Sequence, residues 1–314
     1  MLARRIVRGP RRPTWSLRTE TTVFFLRASL DRSMTWGVDW FRAFQNAIPL
    51  KSPLMKQVRF DAVRVAGIPC EWCEPPGHSP NDGAVLYFHG GGYVYGNVAM
   101  YRDTVARIAL GTQHRVLAVD YRLGPEHPFP AAQDDCLAAF RAVVKEGTPS
   151  TRIALAGDSA GGCLCLATML GLRDAGEALP AAAALISPWV QPSANTGSMI
   201  ANEPFDIFDR AWIARCAELY MNGADWENPL VAPVNADLHG LPPLLIHAGG
   251  AEILLDQIVR LRNKASAAGV PVDYSCFEDM FHVFHITAAM LPEGQLAMTK
   301  VSEFLSGHLD LASR

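Results

Sequence analysis

From residue 57 onward, extended apolar or alternating segments recur at 57–65, 68–74, 84–88, 115–120, 152–156, 182–186, 244–247 and 272–277. Helix-period patterns separate most of them from the third onward, at 101–110, 131–145, 161–174, 254–268 and 293–309. Near-continuous apolar strands alternating with helices predict a mostly parallel sheet with helices on both faces. The first two segments are joined by Ala66-Gly67, which reads as a hairpin and adds an antiparallel edge. The last, 272–277, is an edge strand able to pair with its copy in a homodimer.

Two regions break the alternation. In residues 1–50, Trp36, Trp40, Phe41 and Phe44 fall on one helical face. Between 188 and 241 the chain is rich in Pro and Asn, with one helical run near 209–220. An excursion of that length is no ordinary loop. The economical organisation has residues 1–50 and 188–240 as two parts of a helical cap over a core of 51–187 and 241–314. The cap would cover the C-terminal strand ends, where open α/β sheets bind ligands.

Composition narrows the class. The 314 residues are 49% hydrophobic and carry a net charge of −3, which fits a large globular core and gives no electrostatic case for nucleic acid. No apolar run approaches the ~20 residues of a membrane span, so stable membrane insertion is not expected. The first 18 residues hold six arginines and no acid, but no apolar stretch follows to make a secretory signal. They read as a solvated basic arm leading into a helix, with contact to anionic lipid as the alternative. Seven scattered cysteines, several in apolar segments, read as reduced thiols of a cytoplasmic protein. Cys70-x-x-Cys73 lacks a second ligand pair at zinc spacing.

The chemistry begins where the strand 152–156 runs into Gly157-Asp158-Ser159-Ala160-Gly161-Gly162 and then a helix. A serine at the apex of so tight a turn needs neighbours without side chains, and Gly157 and Gly161 flank it in G-x-S-x-G spacing. An ordinary turn can carry the same residues, so a base and an oxyanion-binding loop must be found elsewhere. His89-Gly90-Gly91-Gly92-Tyr93 directly follows the third strand. It lacks the Gly-Lys-Ser/Thr of a phosphate loop and reads as an oxyanion hole, with the N–H groups of Gly91, Gly92 and Ala160 as donors. A free hydroxyl needs a base. In the order serine, acid, histidine, His282 on the loop after the last strand is the candidate, with His285 as runner-up. The acid belongs after strand 244–247, where Glu252 lies on the loop and Asp256 about one turn into the helix; Glu252 is preferred.

These residues resemble the hormone-sensitive-lipase family of α/β-hydrolases, the bacterial family IV esterases. The resemblance rests on His89-Gly90-Gly91-Gly92, the segment Tyr121-Arg122-Leu123-Gly124-Pro125-Glu126-His127-Pro128, Gly157-Asp158-Ser159-Ala160-Gly161-Gly162, and Met280-Phe281-His282. It covers the chain from about residue 55 to the C-terminus. It implies an α/β-hydrolase fold of about eight strands with a helical cap, Ser159 as nucleophile, His282 as base, and an oxyanion hole at Gly91, Gly92 and Ala160. The family's acid motif, Asp-Pro-Leu-x-Asp, is Glu252-Ile253-Leu254-Leu255-Asp256 here, so glutamate would replace aspartate. The implied activity is serine carboxylester hydrolysis of short- to medium-chain esters, lactones or acetylated small molecules, needing no cofactor or metal. An amidase or transacylase shares the acyl-enzyme. A non-catalytic receptor of this fold would lack the histidine that stands at His282.

Overall fold

The computed structural model describes residues 2–47, 52–79 and 83–311, so the expected boundary at residues 50 and 51 lies outside the described residues. Helices α1 (Leu2–Arg8), α2 (Leu17–Trp36) and α3 (Val38–Ala47) precede the hairpin of β1 (Arg59–Val65) and β2 (Ile68–Glu74). Then follow β3 (Ala84–Phe88), α4 (Arg102–Thr112), β4 (Arg115–Val119), α5 (Ala131–Lys145), β5 (Ile153–Asp158), α6 (Ala160–Asp174) and β6 (Ala182–Ile186). The excursion holds α7 (Gly197–Ala201) and α8 (Arg210–Met221), and the chain ends with β7 (Leu244–Gly249), α9 (Leu255–Ala267), β8 (Val272–Phe277) and α10 (Pro292–Leu311).

The eight strands lie in the order β1-β2-β4-β3-β5-β6-β7-β8, antiparallel through β1, β2 and β4 and parallel from there to β8. Ala66 and Gly67 both take positive φ, 51° and 81°, as a two-residue hairpin turn matched to strand twist demands. Side chains alternate between faces. Leu86, Leu117, Leu155, Leu185 and Ile246 pack with α5, α6 and α9. Val85, Val116, Ala154, Ala184 and Leu245 pack with α4 and α10 on the other face. The central strands are buried on both sides, which is why they read as unbroken apolar runs.

The N-terminal segment differs from a solvated arm. Residues 2–8 are helical, Arg5 pairs with Glu20 at 3.1 Å, and Arg12 pairs with Asp279 at 3.0 Å. Trp15 is buried among Val23, Ile207, Phe281 and Phe284, and its Nε1 donates to Asp279 O at 2.6 Å. Trp36 does not share one helix with Trp40 and Phe44: Gly37, at φ 81°, ends α2 and α3 begins at Val38. The rings still meet across the break, Trp36 edge-on to Trp40, and within α3 Trp40 stacks on Phe44. The excursion contains the helix expected near 209–220, capped by the Asp209 side chain on Trp212 N, and one short helix, α7, that the pattern did not reveal. Among the described residues no helix is long and apolar enough to cross a membrane.

Candidate active site

Ser159 occupies the turn between β5 and α6 with φ 53° and ψ −118°, a backbone conformation that costs on the order of 1–3 kcal/mol for a residue with a side chain. Its surroundings hold it there. Ser159 N donates to Ile186 O at 2.9 Å, and Ser159 O accepts from Trp189 N at 2.9 Å and Gly162 N at 3.1 Å. The flanking glycines are needed for packing: a Cβ on Gly161 would lie 1.9 Å from Phe88 O, and one on Gly157 would lie 2.5 Å from Gly161. Only without them can the start of α6 press against the end of β3.

His282 lies on the loop after β8. Its Nε2 stands 2.9 Å from Ser159 Oγ and its Nδ1 stands 2.8 Å from Glu252 Oε2. With Nδ1–H donating to the carboxylate, Nε2 is free to accept the serine proton. The second oxygen of Glu252 accepts from Gly249 N at 2.7 Å, which fixes the carboxylate at the end of β7. Glu252 and His282 are fully buried. Burial pulls the imidazole pKa down, but the hydrogen bond and charge of Glu252, with the charges of Asp206 and Asp158, outweigh it and raise it above the ordinary value.

The other candidates sit elsewhere. Asp256 is the second residue of α9, in its first turn, and its Oδ2 accepts from Ser198 N at 2.8 Å at the start of α7. It anchors the excursion rather than the histidine. His285 turns from the serine to pair with His247, Nε2 to Nδ1 at 3.0 Å. Burial holds both imidazoles neutral, His247 at about 3. Cys70 and Cys73 face opposite ways along β2 and are buried, which pushes both thiols up to about 12.

The glycine loop is fastened to the nucleophile turn by Asp158. Its Oδ1 accepts from Gly90 N at 2.9 Å and Tyr87 Oη at 2.6 Å, and its Oδ2 accepts from Tyr101 Oη at 3.1 Å. Burial raises this carboxyl to about 6, with the Tyr87, Gly90 and Tyr101 hydrogen bonds opposing. His89 braces the loop through Nδ1 and Gly90 O at 2.7 Å and stacks on Tyr121. Gly91 at φ 113° has Tyr95 O 2.1 Å from where a Cβ would lie, and Gly92 at φ 62° backs onto Cys216 and Trp212 of α8. Glu126 reaches the loop indirectly: it binds Arg42, whose guanidinium donates to Val94 O and Gly124 O.

Ser159, His282 and Gly91 open into a cavity of about 350 Å³. Its walls are mostly apolar, with Leu26 and Leu30 from α2, Phe41 and Phe44 from α3, Phe208 and Trp212 from the excursion, and Ile286 and Met290 beyond the histidine. A second cleft of similar volume, lined by Arg42, Asn46, Asp120 and Glu126, contains none of the three site residues. Two buried residues of the excursion escaped sequence reasoning. Asp206 accepts from His282 N and Ile253 N, and Asn202 donates to Glu252 O. Their only sequence signal is a polar residue inside an irregular segment, which is no signal at all.

A family model described as the alpha/beta hydrolase fold matches residues 85–286. The chain is 41% identical over 247 residues to an acetyl-hydrolase of Streptomyces hygroscopicus, covering 78% of this chain and 82% of that one. It is 32% identical over 261 residues to an esterase of Acinetobacter venetianus, covering 82% and 85%. The crystal structure of an esterase from the bacterial hormone-sensitive lipase family superposes with a TM-score of 0.86 at 37% identity, covering 94% of this chain and 99% of that one. With the serine turn, the glycine loop and the eight-stranded sheet in place, the chain belongs to the α/β-hydrolase family, in its bacterial hormone-sensitive-lipase-like esterase branch.

Proposed function

We propose that this family member is a serine carboxylesterase acting on short- to medium-chain carboxylic esters through an acyl-enzyme at Ser159. The observation that carries the reading is the unbroken relay from Glu252 Oε2 through His282 to Ser159 Oγ, opening into an apolar cavity. Ser159 Oγ attacks the ester carbonyl carbon as its proton passes to His282 Nε2. The carbonyl oxygen takes the negative charge and is held by the N–H groups of Gly91, Gly92 and Ala160, each worth ~3 kcal/mol of barrier. The tetrahedral intermediate collapses, the bond to the alcohol oxygen breaks, and His282 protonates the leaving alcohol. Water then attacks the acyl carbon, His282 takes its proton, and that proton returns to Ser159 as the acid leaves.

The acyl or alcohol group would lie against Phe208, Trp212 and Leu30. A cavity of about 350 Å³ suits small esters better than long acyl chains. Residues 1–50 and 188–240 act as a cap over a core of 51–187 and 241–314, a division supported by the way α2, α3 and α8 line the cavity. Seven free thiols, six of them buried, support a cytoplasmic location. The edge position of β8 supports a homodimer through that strand, which a monomeric mass in light scattering would rule out.

A nitrophenyl ester series from two to sixteen carbons, run on wild type and Ser159→Ala, tests the function. Hydrolysis should peak at short chains and vanish in the variant. Wild-type rates in Ser159→Ala would refute the nucleophile, and a preference for sixteen carbons over four would refute the substrate class.

A further inference from the structure

Asp206 lies in the excursion between β6 and β7, and its side chain is completely buried. Its two oxygens meet three backbone amides. Oδ1 accepts from His282 N at 2.8 Å and from Ile207 N at 2.7 Å, and Oδ2 accepts from Ile253 N at 2.7 Å. His282 and Ile253 belong to different loops, one after β8 and one after β7, and Ile253 adjoins Glu252. One side chain from a third segment therefore ties the histidine loop to the acid loop. With amides at both oxygens, only a carboxylate accepts at both ends; an asparagine would turn a donor toward Ile253 N. Asn202 grips the same acid loop without charge, through Nδ2 to Glu252 O at 2.9 Å. The neighbours of Asp206, Ile207 and Phe208, line the substrate cavity, and the Phe208 ring packs edge-on against the His282 ring.

We propose that Asp206 is a positioning residue for ester hydrolysis: it fixes His282 between Ser159 and Glu252, and its charge helps stabilise the imidazolium formed when Ser159 gives up its proton. The triad is then complete only with the segment carrying Asp206 seated on the two loops. This inference rests on the reading of Ser159, His282 and Glu252 as nucleophile, base and acid. The charged and titratable groups around the imidazole are Glu252 from the acid loop, Asp158 from β5, Asp206 from the excursion and His285 from its own loop. Around Asp206 they are His282 and Glu252, with Arg27 of α2 donating to its backbone oxygen. Burial raises the Asp206 carboxyl to about 6, opposed first by the charge of His282, while the three amides that donate to its oxygens favour the ionised form.

The test is the pH dependence of kcat and kcat/KM on a four-carbon nitrophenyl ester, for wild type, Asp206→Asn and Asn202→Ala. Asp206→Asn should lower kcat about 10- to 100-fold with little change in KM, because a misplaced base loses rate more than binding. It should also move the acid limb of kcat/KM down by about one pH unit, since without the nearby anion His282 is harder to protonate. Asn202→Ala loosens the acid loop but leaves the charge, so kcat should fall with the limb in place. An Asp206→Ser protein, smaller and equally uncharged, gives the same reading if the asparagine variant does not fold. The inference is overturned if the acid limb of the uncharged variants stays at the wild-type pH, or if Asn202→Ala moves it equally. Residual wild-type activity in Ser159→Ala would instead overturn the triad reading; an inactive Ser159→Ala with an unmoved limb overturns Asp206 alone.

Discussion

Replacing Glu252 with glutamine tests the relay at its most informative link. The glutamate uses both oxygens: Oε2 takes the Nδ1–H of His282 at 2.8 Å and Oε1 takes Gly249 N–H at 2.7 Å. A glutamine has one acceptor for two donors. If its oxygen stays on Gly249 N–H, its amide faces His282 Nδ1, which must then accept. The ring proton moves to Nε2, toward Ser159 Oγ, and the base can no longer take the serine proton. If the amide flips, His282 keeps the right tautomer but Gly249 N–H is stranded in a buried site, at a cost of about 1–3 kcal/mol. The charge that stabilised the imidazolium is lost either way. A loss of kcat of about 10⁴-fold, or about 5 kcal/mol of barrier, is expected. Asp256→Asn removes a carboxylate whose oxygen caps the start of α7. It should change kcat less than about tenfold and mainly lower the unfolding midpoint. Steady-state hydrolysis of a four-carbon nitrophenyl ester measures both. A larger kcat loss in Asp256→Asn, or a Glu252→Gln protein within tenfold of wild type, would refute the assignment of the acid.

Gly161→Ala would place a methyl 1.9 Å from Phe88 O, so urea unfolding should show a loss of at least about 2 kcal/mol; an unchanged midpoint would contradict the packing of α6 on β3. Gly92→Ala adds a Cβ at φ 62° within 2.9 Å of Cys216, which should displace the oxyanion loop and lower kcat about 100-fold with little change in KM, whereas a wild-type kcat would remove Gly92 from the site. His247 is held neutral by burial, with its folded pKa at about 3 against an unfolded value of about 6.5. Its stability contribution is full above the unfolded value and is lost as pH falls toward the folded one. Between pH 7 and 5.5, a His247→Asn protein should therefore lose about 1 kcal/mol less stability than wild type in urea titrations, and parallel losses would refute a neutral His247.

The eight strands, their helices and the hairpin edge were legible because each is buried in a way that leaves a periodic trace. Alternating side chains supply two cores, and runs such as Ala84–Phe88 are apolar throughout because both faces are covered. The serine turn was legible for a related reason: a backbone that admits no Cβ writes its glycines into the sequence. The candidates that the structure brings together, Ser159 and His282, were legible too, as was the glycine loop after β3. The docking of the N-terminal segment is not legible as spacing, because the partners that fasten it, Glu20 for Arg5 and Asp279 for Arg12, lie 15 residues away and near the far end of the chain. Helix α7 left no periodic trace, being five residues long and held by Asp256 and Ser198 rather than by an apolar stripe.

What the sequence by itself determined is thus the architecture and the candidate serine, histidine and glycines, since both follow from local spacing. What only the tertiary structure decided is which carboxylate faces His282 and what holds the imidazole in place. Glu252 and Asp256 are four residues apart with the same charge, and only the direction of the chain leaving β7 sends one to the histidine and the other to α7. Asp206 joins them from a segment with no pattern, because a buried carboxylate that serves backbone amides needs partners in three dimensions and leaves no spacing in one.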